Sequence, residues 1–580
     1  MAMDKRKLKK YRSELGESQT NSKALQTLKK LFELNQNNPN RINDNLIKLA
    51  ADVELLQYAY NKLKSNKGAM TKGTDDSTPD GVTNQDLVEL SENLKNGTFK
   101  WSAIRKEMIP KPGKKEKRPL GIPNFNDRLV QENIRVILQS IYEPLFQIEE
   151  TNHGYRPKRS AETAMIQLQR TSKEMNWALE GDIKGAYPSV IHDKLIKILE
   201  EKINDRKFLK LIREGLRHNI VFKGKTEKNL LGTPQGGIAS PILFNIYMRK
   251  FDLYINELIV EYLRINVTEK RTATEVLTKT ARRLKSRIEK AKKRIEKFKM
   301  ISRLLTLEEK QKIRKDAEIM RKNKSELLRT RSGRDCKRLI RFSYIRYADD
   351  WILLTNAKQD IVLEIKEKCS KWLMEELGFQ LDHDKTRITN LDKEKAKFVG
   401  FTILRKKKRI IRKTSKKGAI FRQRSTVELT LGIDHGKVRN RLIAGKIMNE
   451  KLKPRSNTLY GLMKPIYIVK KYRQRLEGLI NYYYRVLTYP TELSLYYYAY
   501  KFSCLKTLAR RMNKSIKKIT MTYGEEMKME IEVKEFTLKG EKTRIERASF
   551  PKYRDAMNKG KEMKNIRNDE MYKRLAKKKK

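Results

Sequence analysis

The sequence predicts a mixed α and β architecture of several domains, with a two-aspartate β-hairpin late in an α/β region and a mostly helical region behind it. Three observations carry this. From about Leu87 to Leu253 short apolar runs alternate with longer helical patterns. Tyr344-Ile-Arg-Tyr-Ala-Asp-Asp-Trp-Ile-Leu-Leu354 places apolar and aromatic residues on both sides of a polar turn, the pattern of a hairpin with Asp349 and Asp350 at its tip. After Gly400 helical segments rich in tyrosine take over. At 580 residues the chain is also too long for one core.

The elements follow in order. Residues 1–22 read as a solvated basic arm. Leu25, Leu28 and Phe32, then Leu46, Leu49, Val53 and Leu56, mark amphipathic helices, and Gly68, Gly73, Pro79 and Gly81 mark loop. Val130, Ile134, Ile137 and Ile141 share one face of a helix over 129–145. Residues 264–341 differ sharply, with 28 Lys+Arg against 10 Asp+Glu and no proline. There Leu284, Ile288, Ala291, Ile295 and Phe298 form a heptad seam, and Thr306 with Glu309 forms a capping box before a second helix. This predicts an inserted antiparallel helical hairpin, either a solvated brace or a surface that touches phosphate. Arg405 to Lys413 reads as a basic hairpin. Eight of the 25 tyrosines fall between Tyr482 and Tyr500, too dense for scatter. They serve either as an aromatic core or as stacking faces for single-stranded RNA. Met527, Met529, Ile531 and Val533 alternate as a half-buried strand does, and the end is lysine-rich.

Composition narrows the function classes. Lys+Arg number 132 and Asp+Glu 70, a net charge of +62. Such an excess repels itself unless a polyanion is at hand, so a nucleic-acid partner comes before a small-molecule enzyme. Cys336, Cys369 and Cys504 form no CxxC pair, and the five histidines show neither HxxxH nor HExxH spacing. A disulfide scaffold, a zinc hydrolase and an HNH-type nuclease therefore lack their residues. No run of about 18 apolar residues occurs, so no membrane partner is expected. The start has no apolar h-region, which predicts no secretory signal.

The chemistry centres on the tandem aspartates. Two adjacent carboxylates in one site raise each other's pKa unless a cation neutralises them. Hard oxygen donors at a rigid tip suit Mg2+. A third carboxylate is at hand in Trp177-Ala-Leu-Glu-Gly-Asp182-Ile, where a short strand ends at Asp182. Two Mg2+ ions between Asp182 and Asp349 would activate a 3′-hydroxyl and stabilise leaving pyrophosphate.

Six blocks in order complete the pattern: Arg118-Pro-Leu-Gly-Ile-Pro123, His153-Gly-Tyr-Arg-Pro157, Gly181-Asp-Ile-Lys-Gly185, Thr233-Pro-Gln-Gly-Gly237, Tyr347-Ala-Asp-Asp350 and Phe398-Val-Gly-Phe401. Over about residues 50–402 the chain resembles the group II intron-encoded reverse transcriptases and maturases, without the HNH endonuclease that many members carry. The resemblance implies an α+β right-hand polymerase. Fingers and palm would span 23–402, with the YADD hairpin in an antiparallel sheet and 264–341 as the insertion. A mostly α-helical thumb/maturase domain would span 403–520, and a basic DNA-binding-like region and tail 521–580.

It also implies roles. Asp182, Asp349 and Asp350 match the catalytic carboxylates, with Asp182, Ile183, Asp349 and Asp350 at the metals. Lys111 and Arg118 match the clamp on the incoming dNTP triphosphate, and Tyr187 the aromatic that excludes a ribose 2′-hydroxyl. Gln235 matches the nucleotide pocket and Lys385 the lysine near the primer end. Gly236 and Gly237, and Phe398, Val399, Gly400 and Phe401, match template–primer contacts. Tyr187-Pro-Ser189 departs from the family's common Phe-Asp-Asn, which implies altered local geometry. The partners implied are group II intron RNA in a ribonucleoprotein, an RNA template with a DNA primer, and target DNA. The place implied is a bacterial cytoplasm, on the nucleoid when DNA is bound, with an organellar matrix or stroma as the alternative. The competing functions are a splicing-only maturase with dispensable polymerase activity and a reverse transcriptase of another bacterial lineage.

Overall fold

The computed structural model describes residues 22–66, 68–110, 117–229, 231–233, 236–268, 279–299, 306–329, 340–405, 411–416, 419–424, 429–537 and 540–562. The basic arm 1–21, Lys111, Gln235 and the lysine-rich end lie outside the described residues.

A four-stranded antiparallel sheet stands at the centre, in the order Phe342–Tyr347, Asp350–Thr355, Trp177–Gly181, Arg387–Asn390. Its inner strand Asp350–Thr355 carries the unbroken apolar run Trp351-Ile-Leu-Leu354 because both of its faces are covered. Successive side chains point to opposite faces. Leu179, Tyr344, Trp351 and Leu353 accordingly join one core, and Ala178, Ile345, Ile352 and Leu354 the other. The first core is built on the N-terminal helices Lys23–Asn37, Val53–Leu63 and Asn84–Asn96, packed around the long helix Phe125–Glu149. Helices Ser240–Thr268 and Gln359–Leu377 close it over the sheet. The helix starts are written locally: Asp52 accepts from Glu54 N and Leu55 N, and Thr83 with Asp86 forms a capping box.

The second core joins helix Ala161–Thr171 to the C-terminal half, where Pro465–Tyr483 and Ser494–Met512 pack as a helical pair. The tyrosine-rich stretch divides here: Tyr483, Tyr484, Tyr496 and Tyr500 are buried, whereas Tyr482, Tyr489 and Tyr498 are exposed. The hairpin Met529–Thr537/Gly540–Ala548 is tied to the same lobe. Met527, Met529 and Phe550 share its core, and Lys470 pairs with Glu546.

A smaller sheet, ordered Lys117–Ile122, Ile104–Pro110, Ile220–Phe222, Lys225–Glu227, stands on the N-terminal side. Within 264–341, helices Lys279–Lys299 and Leu307–Arg329 pack along each other, and the Thr306–Glu309 capping box is made. The basic hairpin expected over 405–413 lies further on, at Ile411–Lys416/Ala419–Arg424.

Candidate active site

The central sheet's register brings the carboxylates together. Gly181 pairs with Trp351 and Tyr347 with Asp350, so Asp182 emerges beside Asp350 at the end of adjacent strands. Gly181 is required there: a Cβ would lie 2.0 Å from the Trp351 ring. The hairpin turn is formed by Ala348 and Asp349, one residue earlier than the sequence suggests, and Asp350 opens the second strand. Ala348 takes φ 58°, a left-handed conformation that glycine usually supplies.

The electrostatics are those of crowded acids. Burial raises the Asp350 pKa to about 7, helped by the charges of Asp349 and Asp182. Burial, then the Asp182 charge, also raises Asp349, while Arg118 and Arg346 pull it down. Lys385 Nζ stands 2.7 Å from Asp182 Oδ2 and 2.6 Å from Asp382 Oδ2, a cation held between two acids. Ile183 is buried and bridges to Leu381. Among the described residues no three His, Cys, Asp or Glu side chains are grouped closely enough to hold a metal ion by themselves. The trio is an open, acidic edge. That fits an ion taking its remaining ligands from water and phosphate.

Other expected residues surround this edge. Tyr187 lies flat on Phe244 with ring centroids 4.3 Å apart. Its phenol is pushed well above the usual range by burial, then by Tyr155 and Asp349. Pro188 fits because the neighbouring loop packs on it: Gly232, at φ 87°, could not carry a Cβ, which would sit 2.6 Å from Pro188 Cα. Thr233 N donates to Tyr187 O over 2.9 Å. Gly236, at φ 117°, presses on the strand that carries Arg118; a Cβ there would lie 2.3 Å from Gly121 O. Gly237 follows in the same loop, just before helix Ser240–Thr268. Phe398 and Phe401 flank a turn in which Val399 and Gly400 both have positive φ. Tyr482 Oη donates to Val399 O over 2.7 Å and Tyr483 Oη to Gly400 O over 3.1 Å. The Asp350 charge reaches Tyr482, so this turn stands near the carboxylates.

Sequence reasoning missed what holds the tandem aspartates in place. Arg346, fully buried, donates from Nε and Nη2 to the equally buried Asp252 over 2.8 and 2.6 Å. Its Nη1 donates to Ala348 O over 2.9 Å, which ties the strained turn to helix Ser240–Thr268. Tyr344 Oη donates to Asp252 Oδ1, and Asn245 Nδ2 to Gly154 O. Gly154 lets two backbones touch, since a Cβ would lie 2.4 Å from Ala348 N. The His153–Pro157 block is therefore a buttress: His153 N donates to Arg346 O, and Arg156 forms a two-bond pair with Glu143. One signal was present in the sequence. Asn245 and Asp252, seven residues apart, interrupt an apolar helix face that includes Phe244, Met248, Phe251 and Ile255.

Residues 109–312 match the family model for reverse transcriptase (RNA-dependent DNA polymerase), and 434–566 that for type II intron maturase. The group II intron-encoded protein LtrA of Lactococcus lactis subsp. cremoris is 31% identical over 498 residues, covering 85% of this chain and 78% of that protein. The chain belongs to the group II intron-encoded protein family. Among its other relatives, the putative COX1/OXI3 intron 2 protein of Saccharomyces cerevisiae is 29% identical over 523 residues, 87% of this chain and 56% of its own length. A protein in the cob intron of Schizosaccharomyces pombe is 35% identical over 383 residues, covering 66% of this chain and 44% of that protein. The chain thus joins a reverse transcriptase domain to a maturase domain, and the second match takes in the Met529–Ala548 hairpin. Among the described residues no helix is long and apolar enough to cross a membrane.

Proposed function

We propose that this group II intron-encoded protein binds its intron RNA, promotes splicing, and copies the RNA into DNA by two-metal nucleotidyl transfer. The observation that carries the chemistry is the meeting of Asp182, Asp349 and Asp350 at one end of the central sheet's two inner strands, two of them raised by burial and mutual repulsion. Such a carboxylate set lacks positive charge, and Lys385 supplies only part of it. Two Mg2+ ions held by Asp182, Ile183, Asp349 and Asp350 would supply an activated 3′-hydroxyl and charge neutralisation at the leaving pyrophosphate.

The chain's own residues do the rest. Arg118, close enough for its charge to reach Asp349, is set to bind the triphosphate together with Lys111. Tyr187, braced flat on Phe244, blocks the space of a ribose 2′-hydroxyl and selects dNTPs. Lys385 orients Asp182 and lies at the primer end. Gly236 and Gly237 line the template side, Gln235 is assigned to the nucleotide pocket by its motif alone, and the Phe398–Phe401 turn, held by two tyrosine hydroxyls, supports the primer. In right-hand terms, 23–402 forms fingers and palm, and 403–520 the thumb and maturase lobe. The 521–580 region, whose described part packs on that lobe, faces target DNA.

The test compares wild type with the Asp349→Ala, Asp350→Ala double variant in Mg2+-dependent cDNA synthesis and in splicing of the parent intron at low Mg2+. Wild type should do both, and the variant should lose cDNA synthesis while still binding intron RNA. A variant that still makes cDNA, or a wild type that does neither, refutes the proposal.

A further inference from the structure

The inserted helical hairpin Lys279–Lys299/Leu307–Arg329 is absorbed by none of these roles. It is an arm with its own seam: Ala281, Leu284 and Ala291 are buried, yet no residue of the hairpin belongs to either of the two large cores. Its register is pinned by polar groups. Arg294 Nε and Nη2 clasp the carboxylate of Asp316 over 2.6 to 3.1 Å, and Asn323 is buried on the same seam.

The two outer faces differ. The second helix exposes Glu308, Glu318 and Glu326 among its lysines and arginines, the mixed surface that ordinary solubility needs. On the first helix, Arg282, Arg283, Lys290, Lys293 and Lys297 stand away from the seam, and all are exposed. Helical geometry puts them on one strip, with Arg283, Lys290 and Lys297 about 10.5 Å apart along the axis. The strip contains no acid. Glu289 and Glu296 lie at its edge, and Glu296 is taken by Lys292. Among the described residues no carboxylate comes within ion-pair distance of any of the five. Like charges three and four residues apart oppose the helix that carries them, and an external anion relieves this.

From this strip we infer that the arm is a phosphate-gripping site for double-helical segments of structured RNA, an inference that rests on the RNA-binding reading above. The class of ligand follows from what the strip lacks. The two helices contain no tyrosine or tryptophan, and their one aromatic, Phe298, sits on the seam. Stacking on unpaired bases therefore has no platform, whereas a straight row of cations matches a regular phosphate backbone. The arm adds affinity without reading sequence.

The test replaces Arg282, Arg283, Lys290, Lys293 and Lys297 with glutamine, changes confined to exposed positions that leave the seam intact. Binding of a random-sequence 20-bp RNA duplex, an unstructured RNA strand of equal length and a DNA duplex is measured over a salt series. Primer extension at saturating template–primer serves as the activity control. The expected result is weaker binding of the RNA duplex, with its log Kd–log salt slope lowered by about 0.9 per lost contact, hence by up to about 4.5. Single-strand binding and primer extension should stay unchanged. An unchanged RNA-duplex slope, an equal loss on the single strand, or a larger loss on DNA overturns the inference. A wild type that makes no cDNA and binds no intron RNA refutes the enzyme reading instead, because the arm is judged only on the difference between wild type and variant.

Discussion

Replacing Asp252 with asparagine keeps its shape and removes the charge that neutralises Arg346. Both side chains are fully buried, so Arg346 would keep a full charge away from water with only Asn245, the Ala348 carbonyl and one amide oxygen to face. Breaking a buried pair from one side costs about 3–5 kcal/mol, and the remaining acceptors place this case near about 3. At roughly 2 °C per kcal/mol for a large domain, Asp252→Asn should lower the melting temperature of the lobe by about 6 °C. Replacing both partners, Asp252→Leu with Arg346→Met, removes the stranded charge and should restore most of that stability. It should not restore activity. The Ala348 carbonyl would lose its donor, and a turn held at φ 58° would be free to move Asp349 away from Asp182. A displacement of about 1 Å costs on the order of 100-fold in rate. Thermal unfolding paired with single-turnover nucleotide incorporation reads both effects. A double variant that is stable and incorporates at the wild-type rate would show that the network only supports the fold.

Three further outcomes are expected. Gly154→Ala would drive a methyl group into the Ala348 backbone, so single-turnover incorporation should fall on the order of 100-fold while intron RNA binding persists; an unchanged rate refutes the buttress. Burial pushes Asp127 up to about 7, above its unfolded value of 3.8, so its contribution to stability is complete below about pH 4 and lost as pH rises through 7. Asp127→Asn should flatten the fall in unfolding free energy between those pH values by up to about 1.4 kcal/mol per unit, and denaturant titrations that show a steeper fall contradict it. Cys369 and Cys504 are buried, with thiol pKa values pushed up, so both should resist alkylation in the native protein and react after denaturation; mass spectrometry that finds either labelled natively sinks this reading.

Much of the site could be read along the chain because its pieces are local. A two-residue turn, a strand ending in Gly181-Asp182 and a glycine-rich loop each carry their chemistry within a few residues. Positions such as Gly154 and Gly236 were visible as motif members, but their reason was not. One spares Ala348 a steric clash and the other spares Gly121, contacts between segments far apart in sequence. The tyrosine-rich segment shows the same limit: composition allowed either core or stacking surface, and packing assigned Tyr496 to the core and left Tyr498 exposed.

By itself the sequence determined that this is a strongly basic protein with aspartates set within short apolar strands, because net charge and short-range order are properties of the chain alone. It also determined the insertion's heptad seam, since helix periodicity is written residue by residue. Only the tertiary structure decided that Asp182 meets Asp350, that Arg346 and Asp252 lock the turn from beneath, and that Tyr482 and Tyr483 clamp the Phe398–Phe401 turn. Each of these joins residues tens of positions or more apart. Their distance depends on sheet register and helix packing, which the whole chain sets together and no local pattern encodes.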